Sequence, residues 1–217
     1  KIIGQLGPCL LHANLYFQGE PMLHPGFFSF IERCKGFRTT VSTNGHFLDS
    51  SNANRLAVSG LYKLIVSVDG ATPESYNAYR KNGNFDKVME GLLNVSEEVK
   101  SNKSGLKLVI QCLVYRENEG EIKQLKLLAK KLGASLELKS MQILDRERIE
   151  RWAPKDANSN RYTKKGGEYS LKSKLPNRCS RLWLAPAVTW DGKVLPCCFD
   201  KDANWVMGNL NNESFKE

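Results

Sequence analysis

The chain lacks any apolar run long enough to cross a bilayer: its longest, residues 106–115, is broken by Lys107 and Gln111 and falls well short of the ~20 residues a spanning helix needs. No membrane association is expected. Cysteine is scarce, with six residues spread unevenly over 217, which excludes a disulfide-stapled secreted scaffold and points to a reducing, cytoplasmic setting. No secretory leader is expected, since the start shows no basic segment followed by an apolar one and a small-residue cleavage site. The first residue is Lys1 rather than Met, so a preceding segment is expected. Internal repeats are also missing.

What is present suits a globular enzyme or binding protein. At 41% hydrophobic content the chain can build one large domain, or one domain and an appendage. The formal charge is +9, from 32 Lys and Arg against 23 Asp and Glu, and much of the excess lies between Arg161 and Arg181. Three readings of that charge stay open: a surface for nucleic acid or an acidic peptide, cationic surroundings for an anionic metal cluster, or a solvated lysine-rich face. Nucleic acid is the least expected of these partners.

From residue 11 to 138, short β-rich runs alternate with helical patterns, the signature of βα units on a parallel sheet. The predicted strands are residues 11–17, 38–42, 63–68, 106–114 and 135–139. Residues 24–35 place Phe27, Phe28, Ile31 and Cys34 on one helical face, and residues 51–59 form a shorter helix. Thr72, Pro73 and Glu74 supply an N-cap, a first-position proline and a first-turn acid for the next. Phe85, Val88, Leu92, Val95 and Val99 then form one buried stripe. Asn118 with Glu121 resembles a capping box before Ile122, Leu125, Leu128, Ala129 and Leu132, and Gly133 ends that helix. Residues 145–178 are polar, basic and turn-rich, with Pro154, Gly166, Gly167 and Pro176, and are expected to be a linker. The end of the chain, residues 179–217, holds a predicted hairpin: a run at 187–190, a turn at Asp191 and Gly192, and a second run at 194–195.

Three consecutive strands end in compact polar signals: Gly19, Glu20 and Pro21; Thr43, Asn44 and Gly45; Asp69 and Gly70. At the carboxyl ends of parallel barrel strands such residues converge on one site. Each is also an ordinary turn signal when taken singly. In the first, Pro21 holds Glu20 extended while Gly19 lets a ligand approach the main chain, presenting a carboxylate suited to a ligand ammonium. Asn14 to Gly19, NLYFQG, also matches a protease site used in tags. Ala13 stands where that site has glutamate, however, and the stretch runs unbroken into the strand and turn.

Together, FQGEPMLHP at residues 17–25, STNG at 42–45 and SVDGATPESYNAYR at 67–80 resemble the core of radical S-adenosylmethionine (SAM) enzymes that carry SPASM or twitch domains. The resemblance implies a partial (β/α)6 TIM-like α/β barrel of parallel strands over residues 1–144, its first βα unit missing. It also implies that Gly19, Glu20 and Pro21 bind the SAM amino group, and that Thr43, Asn44, Ser67 and Asp69 line the ribose, the carboxylate end or the substrate edge. Arg80 matches the family's arginine for the SAM carboxylate. The family's glycine pattern on the following strand is not visible at residues 109–116, so no adenine contact is assigned there.

Twelve residues separate Cys179 from Gly192 and four separate Gly192 from Cys197. This resembles the opening half of the SPASM or twitch motif, and implies a small C-terminal hairpin domain over residues 179–217 that holds an auxiliary iron–sulfur cluster. Cys179 and Cys197 would be thiolate ligands, with Cys198 either a third ligand or a packing residue, since neighbours on a strand face opposite ways. A structural zinc site is the alternative.

The family's defining cysteine triad, with spacings of three and two residues, is absent, and Cys9 cannot replace it. Those thiolates hold the catalytic 4Fe-4S cluster, so this polypeptide by itself is not expected to cleave SAM. For the parent protein the resemblance implies an oxidoreductase in which a reduced 4Fe-4S cluster and SAM yield a 5′-deoxyadenosyl radical that takes hydrogen from a peptide or small-molecule substrate. Electrons would come from a partner such as flavodoxin or ferredoxin. Two other readings stay open: a non-catalytic, zinc-stabilised basic binding module, and a degenerate radical SAM paralogue.

Overall fold

A computed structural model describes residues 2–6, 10–173 and 178–215. Cys9 and Pro176, both used in the sequence reading, lie outside them. After a short helix α1 (Ile2–Leu6), the chain builds β1 (His12–Asn14), α2 (Phe27–Arg33), β2 (Arg38–Thr43), α3 (Ser50–Val58) and β3 (Lys63–Ser67). It continues through α4 (Pro73–Tyr79), α5 (Phe85–Ser101), β4 (Lys107–Val114), α6 (Ile122–Leu132) and β5 (Ser135–Ser140). The five strands form one parallel sheet in the order β1-β2-β3-β4-β5, as the alternating pattern predicts.

Alternation along the strands decides which face is buried. Val41, Leu64, Val66, Val68, Leu108, Ile110 and Cys112 join the helix residues Ile31, Leu56, Val88, Leu92, Val95 and Leu125 in one core cluster. The helices therefore cover one face of the sheet. The intervening strand residues, among them Ser42, Ser67 and Gln111, stand on the other.

Local chemistry explains where elements start and stop. The predicted helix 24–35 shortens to α2 because Pro25 holds His24 extended (φ −77°, ψ 124°), and residues Pro21–Leu23 form a separate 3-10 turn. Strand β1 is shorter than predicted because the chain leaves the sheet after Leu15, whose N–H still bonds Thr40. Helix α4 opens as expected, with Thr72 and Ser75 capping each other's backbone N–H and Pro73 in the first turn. Gly133 closes α6 in the left-handed region at φ +66°.

The expected Asn118–Glu121 capping box does not form. Asn118 is buried, and its amide accepts from Tyr115 N (2.8 Å) while donating to Asp69 O (3.0 Å) and Leu113 O (2.8 Å). Glu121 caps α4 instead, accepting from Ala71 N (2.7 Å), Thr72 Oγ1 (3.1 Å) and Ser75 Oγ (2.6 Å). Both side chains reach across space rather than along their own helix.

Of the expected linker, residues 145–178, the described residues 145–173 hold regular structure. Helix α7 (Ile149–Trp152) and a hairpin of β6 (Tyr162–Lys165) and β7 (Glu168–Leu171) enclose a small cluster of Ile149, Ala153 and Tyr162. The Tyr162 hydroxyl accepts from Ile143 N (2.6 Å) and donates to Ile143 O (3.1 Å). The hairpin escapes periodicity because its strands are four residues long and mostly exposed. The last segment holds α8 (Arg181–Leu184) and an antiparallel sheet of β8 (Ala187–Val188), β9 (Lys193–Leu195) and β10 (Gly208–Asn209), which contains the predicted hairpin. Its turn needs Gly192: φ is +83°, and a Cβ there would stand 2.6 Å from Asn211 Nδ2.

Replacing Asn118 with alanine strips partners from buried backbone groups at three residues. Each such group costs about 1–3 kcal/mol, so N118A is expected to lose roughly 3 kcal/mol in urea unfolding with an unchanged slope.

Candidate functional site

The polar signals at the strand ends meet at one rim. Gly19 turns the chain with φ +76°, and Glu20, extended at φ −114° and ψ 111°, returns its carboxylate over the end of β2. Glu20 Oε1 accepts from Thr43 Oγ1 (2.7 Å) and Met22 N (3.1 Å), and Oε2 accepts from Asn44 N (2.7 Å). An ionised carboxylate has about four lone-pair sites, so three protein donors leave one for a ligand ammonium. Half-buried Glu20 thus stays usable from solvent.

Asn44 is held in turn by His46. Its Oδ1 accepts from the backbone N of His46 (2.9 Å) and pairs with the ring Nδ1 (3.0 Å), while His46 Nε2 accepts from Asn84 N (2.9 Å). These contacts require a neutral ring with its proton on Nδ1. Burial, and then the Lys87 charge, hold the His46 pKa below its usual value. Next to it, Gly45 (φ +85°) lies where a Cβ would come within 3.0 Å of Val66 and Val88. No larger residue fits that turn without displacing the core.

Asp69 is placed differently from Glu20. It is 1% exposed, with Oδ2 taking Arg80 Nε (2.7 Å) and Nη2 (2.7 Å) and Oδ1 taking Leu113 N (2.7 Å). Its carboxylate is turned inward, where it ties β3, β4 and the end of α4 together and fixes Arg80, whose side chain remains 26% exposed. The Ser67 hydroxyl is half-buried and makes no protein hydrogen bond among the described residues. Glu20, Thr43 and Asn44 are brought into contact, Arg80 is paired with Asp69, and Gly19 and Pro21 shape the turn.

Sequence reasoning did not single out His46, Tyr115 or the bracing parts of Asn118 and Glu121. Tyr115 donates its hydroxyl to Ser75 O, and burial raises its pKa. Burial, and then Asp69, push the Cys112 thiol up to about 12, so that cysteine is a core residue. Only His46, directly after the Thr-Asn-Gly turn, carried a local signal.

The C-terminal thiols are free: Cys179 and Cys198 exposed, Cys197 half-buried. Thiolates are the right donors for an iron–sulfur cluster. Among the described residues, no three His, Cys, Asp or Glu are gathered closely enough to hold a metal, so the described donors form at most part of a ligand set. No described helix is long and apolar enough to span a membrane. The loop after β1 meets the C-terminal segment, Gln18 Nε2 donating to Lys201 O (3.0 Å). The Tyr16 phenol has its pKa raised by burial and then by Glu137 and Cys198.

Residues 10–129 match the family model described as the Radical SAM superfamily. The chain belongs to that superfamily. Residues 179–217 match a second model, SPASM, an iron–sulfur cluster-binding domain. The radical SAM superfamily and the SPASM domain bring SAM and iron–sulfur clusters as cofactors. Mycofactocin maturase MftC of Mycobacterium tuberculosis is 30% identical over 122 residues, covering 55% of this chain and 30% of that protein. The AdoMet-dependent heme synthase of Methanosarcina barkeri is 32% identical over 119 residues, 54% of this chain and 32% of that protein. The chain thus spans about a third of the length of these relatives. Among solved structures, Streptococcus suis SuiB bound to SAM superposes with a TM-score of 0.69 at 14% identity, covering 99% of this chain and 56% of that one. That likeness supports the same radical SAM α/β fold.

Lowering the pH protonates His46 Nε2, which then cannot accept from Asn84. Because the folded pKa lies below that of the unfolded chain, stability is full above about pH 6.5 and falls as pH drops through that value toward the folded pKa. NMR titration is expected to place the His46 midpoint below the unfolded value, with Asn44 and Asn84 amides moving on the same curve.

Proposed function

We propose that this chain is the SAM-binding and auxiliary-cluster part of a radical SAM oxidoreductase acting on a peptide or small-molecule substrate. The observation that carries the reading is the Glu20 carboxylate, aligned by Thr43 and Asn44 with one acceptor position open. In this reading Glu20 takes the SAM ammonium, with Gly19 and Pro21 shaping its turn. Arg80, braced by Asp69, takes the SAM carboxylate, and the Ser67 hydroxyl is free for the ribose or the substrate edge. Asp69 acts through Arg80. Cys179 and Cys197, with Cys198 as a candidate third ligand, hold part of the auxiliary cluster.

When bound with a reduced 4Fe-4S cluster, SAM supplies a 5′-deoxyadenosyl radical that takes hydrogen from substrate. No ligand set for that catalytic cluster occurs among these 217 residues, so the chain's own work is to orient SAM and the substrate. A reducing protein such as flavodoxin or ferredoxin would feed the whole enzyme. Peptide substrates are supported by the likeness to maturases, and SuiB itself is known in complex with its precursor peptide SuiA.

Hydrogen bonds to charged groups contribute about 1.5–3 kcal/mol, so Glu20→Ala is expected to weaken SAM binding by roughly tenfold or more in calorimetry. Equal affinity in both proteins would remove the basis of this reading. After anaerobic reconstitution with iron and sulfide, the chain is expected to gain broad visible absorption that Cys197→Ala loses. Stoichiometric zinc in place of iron would favour the binding-module alternative.

A further inference from the structure

A parallel sheet is usually apolar on both faces, because helices cover both. Here only one face carries the main core cluster; the other buries Ile65 and Val109 at mid-strand and becomes polar toward the carboxyl ends of the strands. Lys63, Ser67 and Gln111 each neighbour a core residue in sequence, namely Leu64, Val66 and Ile110, so alternation puts their side chains on the face away from the helices. Glu137 follows Leu136, which packs on the core, and so shares that face with Lys139 two residues on.

These groups are unevenly satisfied. The side chains of Ser42, Ser67 and Gln111 are half-buried and make no protein hydrogen bond among the described residues. Lys63 on β3 reaches past β4 to Glu137 Oε1 at 3.5 Å, and Lys139 meets Glu137 Oε2 at 3.6 Å. Strong ammonium–carboxylate contacts are ~2.7–2.9 Å, so both pairs are loose. Pairs this exposed contribute about 0–1 kcal/mol, too little for a stabilising role to explain them. Two cations face one acid, which leaves a net positive charge.

We propose that the polar part of this face binds substrate through a carboxylate, which displaces Glu137 from Lys139 and Lys63 while Gln111 and Ser67 hydrogen-bond neighbouring polar groups. The proposal rests on the functional reading above and deepens it by naming the substrate's chemistry. It uses β3 to β5, whereas Thr43 ends β2, Asn44 follows it, and Glu20 lies in the loop after β1. The carboxylate could come from an acidic peptide or from a small organic acid.

The test is NMR titration of the isotope-labelled 217-residue chain, with and without SAM, using three probes: the peptide Ac-Ala-Glu-Ala-Tyr-NH2, its glutamine counterpart, and glutarate. The acidic peptide or glutarate is expected to shift the Gln111 side-chain amide, and whichever acts identifies the source. Lys139→Ala should weaken that response about fivefold, Lys139→Arg should restore it, and Glu137→Gln should strengthen it by removing the competing acid. A merely structural ion pair would move none of these affinities. Equal response to the glutamine peptide, indifference to Lys139→Ala, or no shift at Gln111 overturns the proposal. Shifts of the Asn44 and Gly45 amides with SAM report the other site separately. A chain that binds SAM but not the acids sinks only this inference, and one that binds acids but not SAM sinks only the functional reading.

Discussion

The buried carboxylate of Asp69 is the constraint on which the rim of the sheet depends. A charge taken out of water is tolerated only when its lone pairs are filled by well-placed donors. Asp69 finds them on two other elements, the Arg80 guanidinium after α4 and the Leu113 amide on β4. Meeting its own need locks three segments into one arrangement. Asn118 completes the lock by bonding the Asp69 carbonyl and the turn after β4. Arg80 gains a fixed direction without giving up its exposure.

Three carboxylates at the strand ends thus have three fates, set by surroundings rather than residue type. Asp69 is enclosed and saturated. Glu121 is spent on the start of α4, where a helix N-terminus favours negative charge. Glu20 is aligned by Thr43 and Asn44 but left one acceptor position short of full. That incompleteness makes Glu20 the ligand-binding candidate.

Much of this was legible in the sequence because it is local. The β-rich runs mark β2 to β5 to within about a residue, and Thr72 and Gly133 cap their helices as their chemistry demands. The Gly-Glu-Pro, Thr-Asn-Gly and Asp-Gly turns lie in order at successive strand ends. What escaped depends on distance in the chain: Asn118 and Glu121 show capping spacing, yet tertiary partners outcompete the local bond. The opposed directions of Glu20 and Asp69 are also invisible in sequence, since both follow a strand in a turn. The hairpin of β6 and β7 was missed because Tyr162 supplies most of its burial and four-residue strands leave no period to detect.

That tyrosine also decides how the connecting segment comes apart. One hydroxyl serves both the N–H and the C=O of Ile143, so pulling the hairpin away would strand two peptide groups and strip the little apolar cluster in the same event. Fraying strand by strand brings no partial relief. The connector therefore opens as a single cooperative block, with its amides exchanging together.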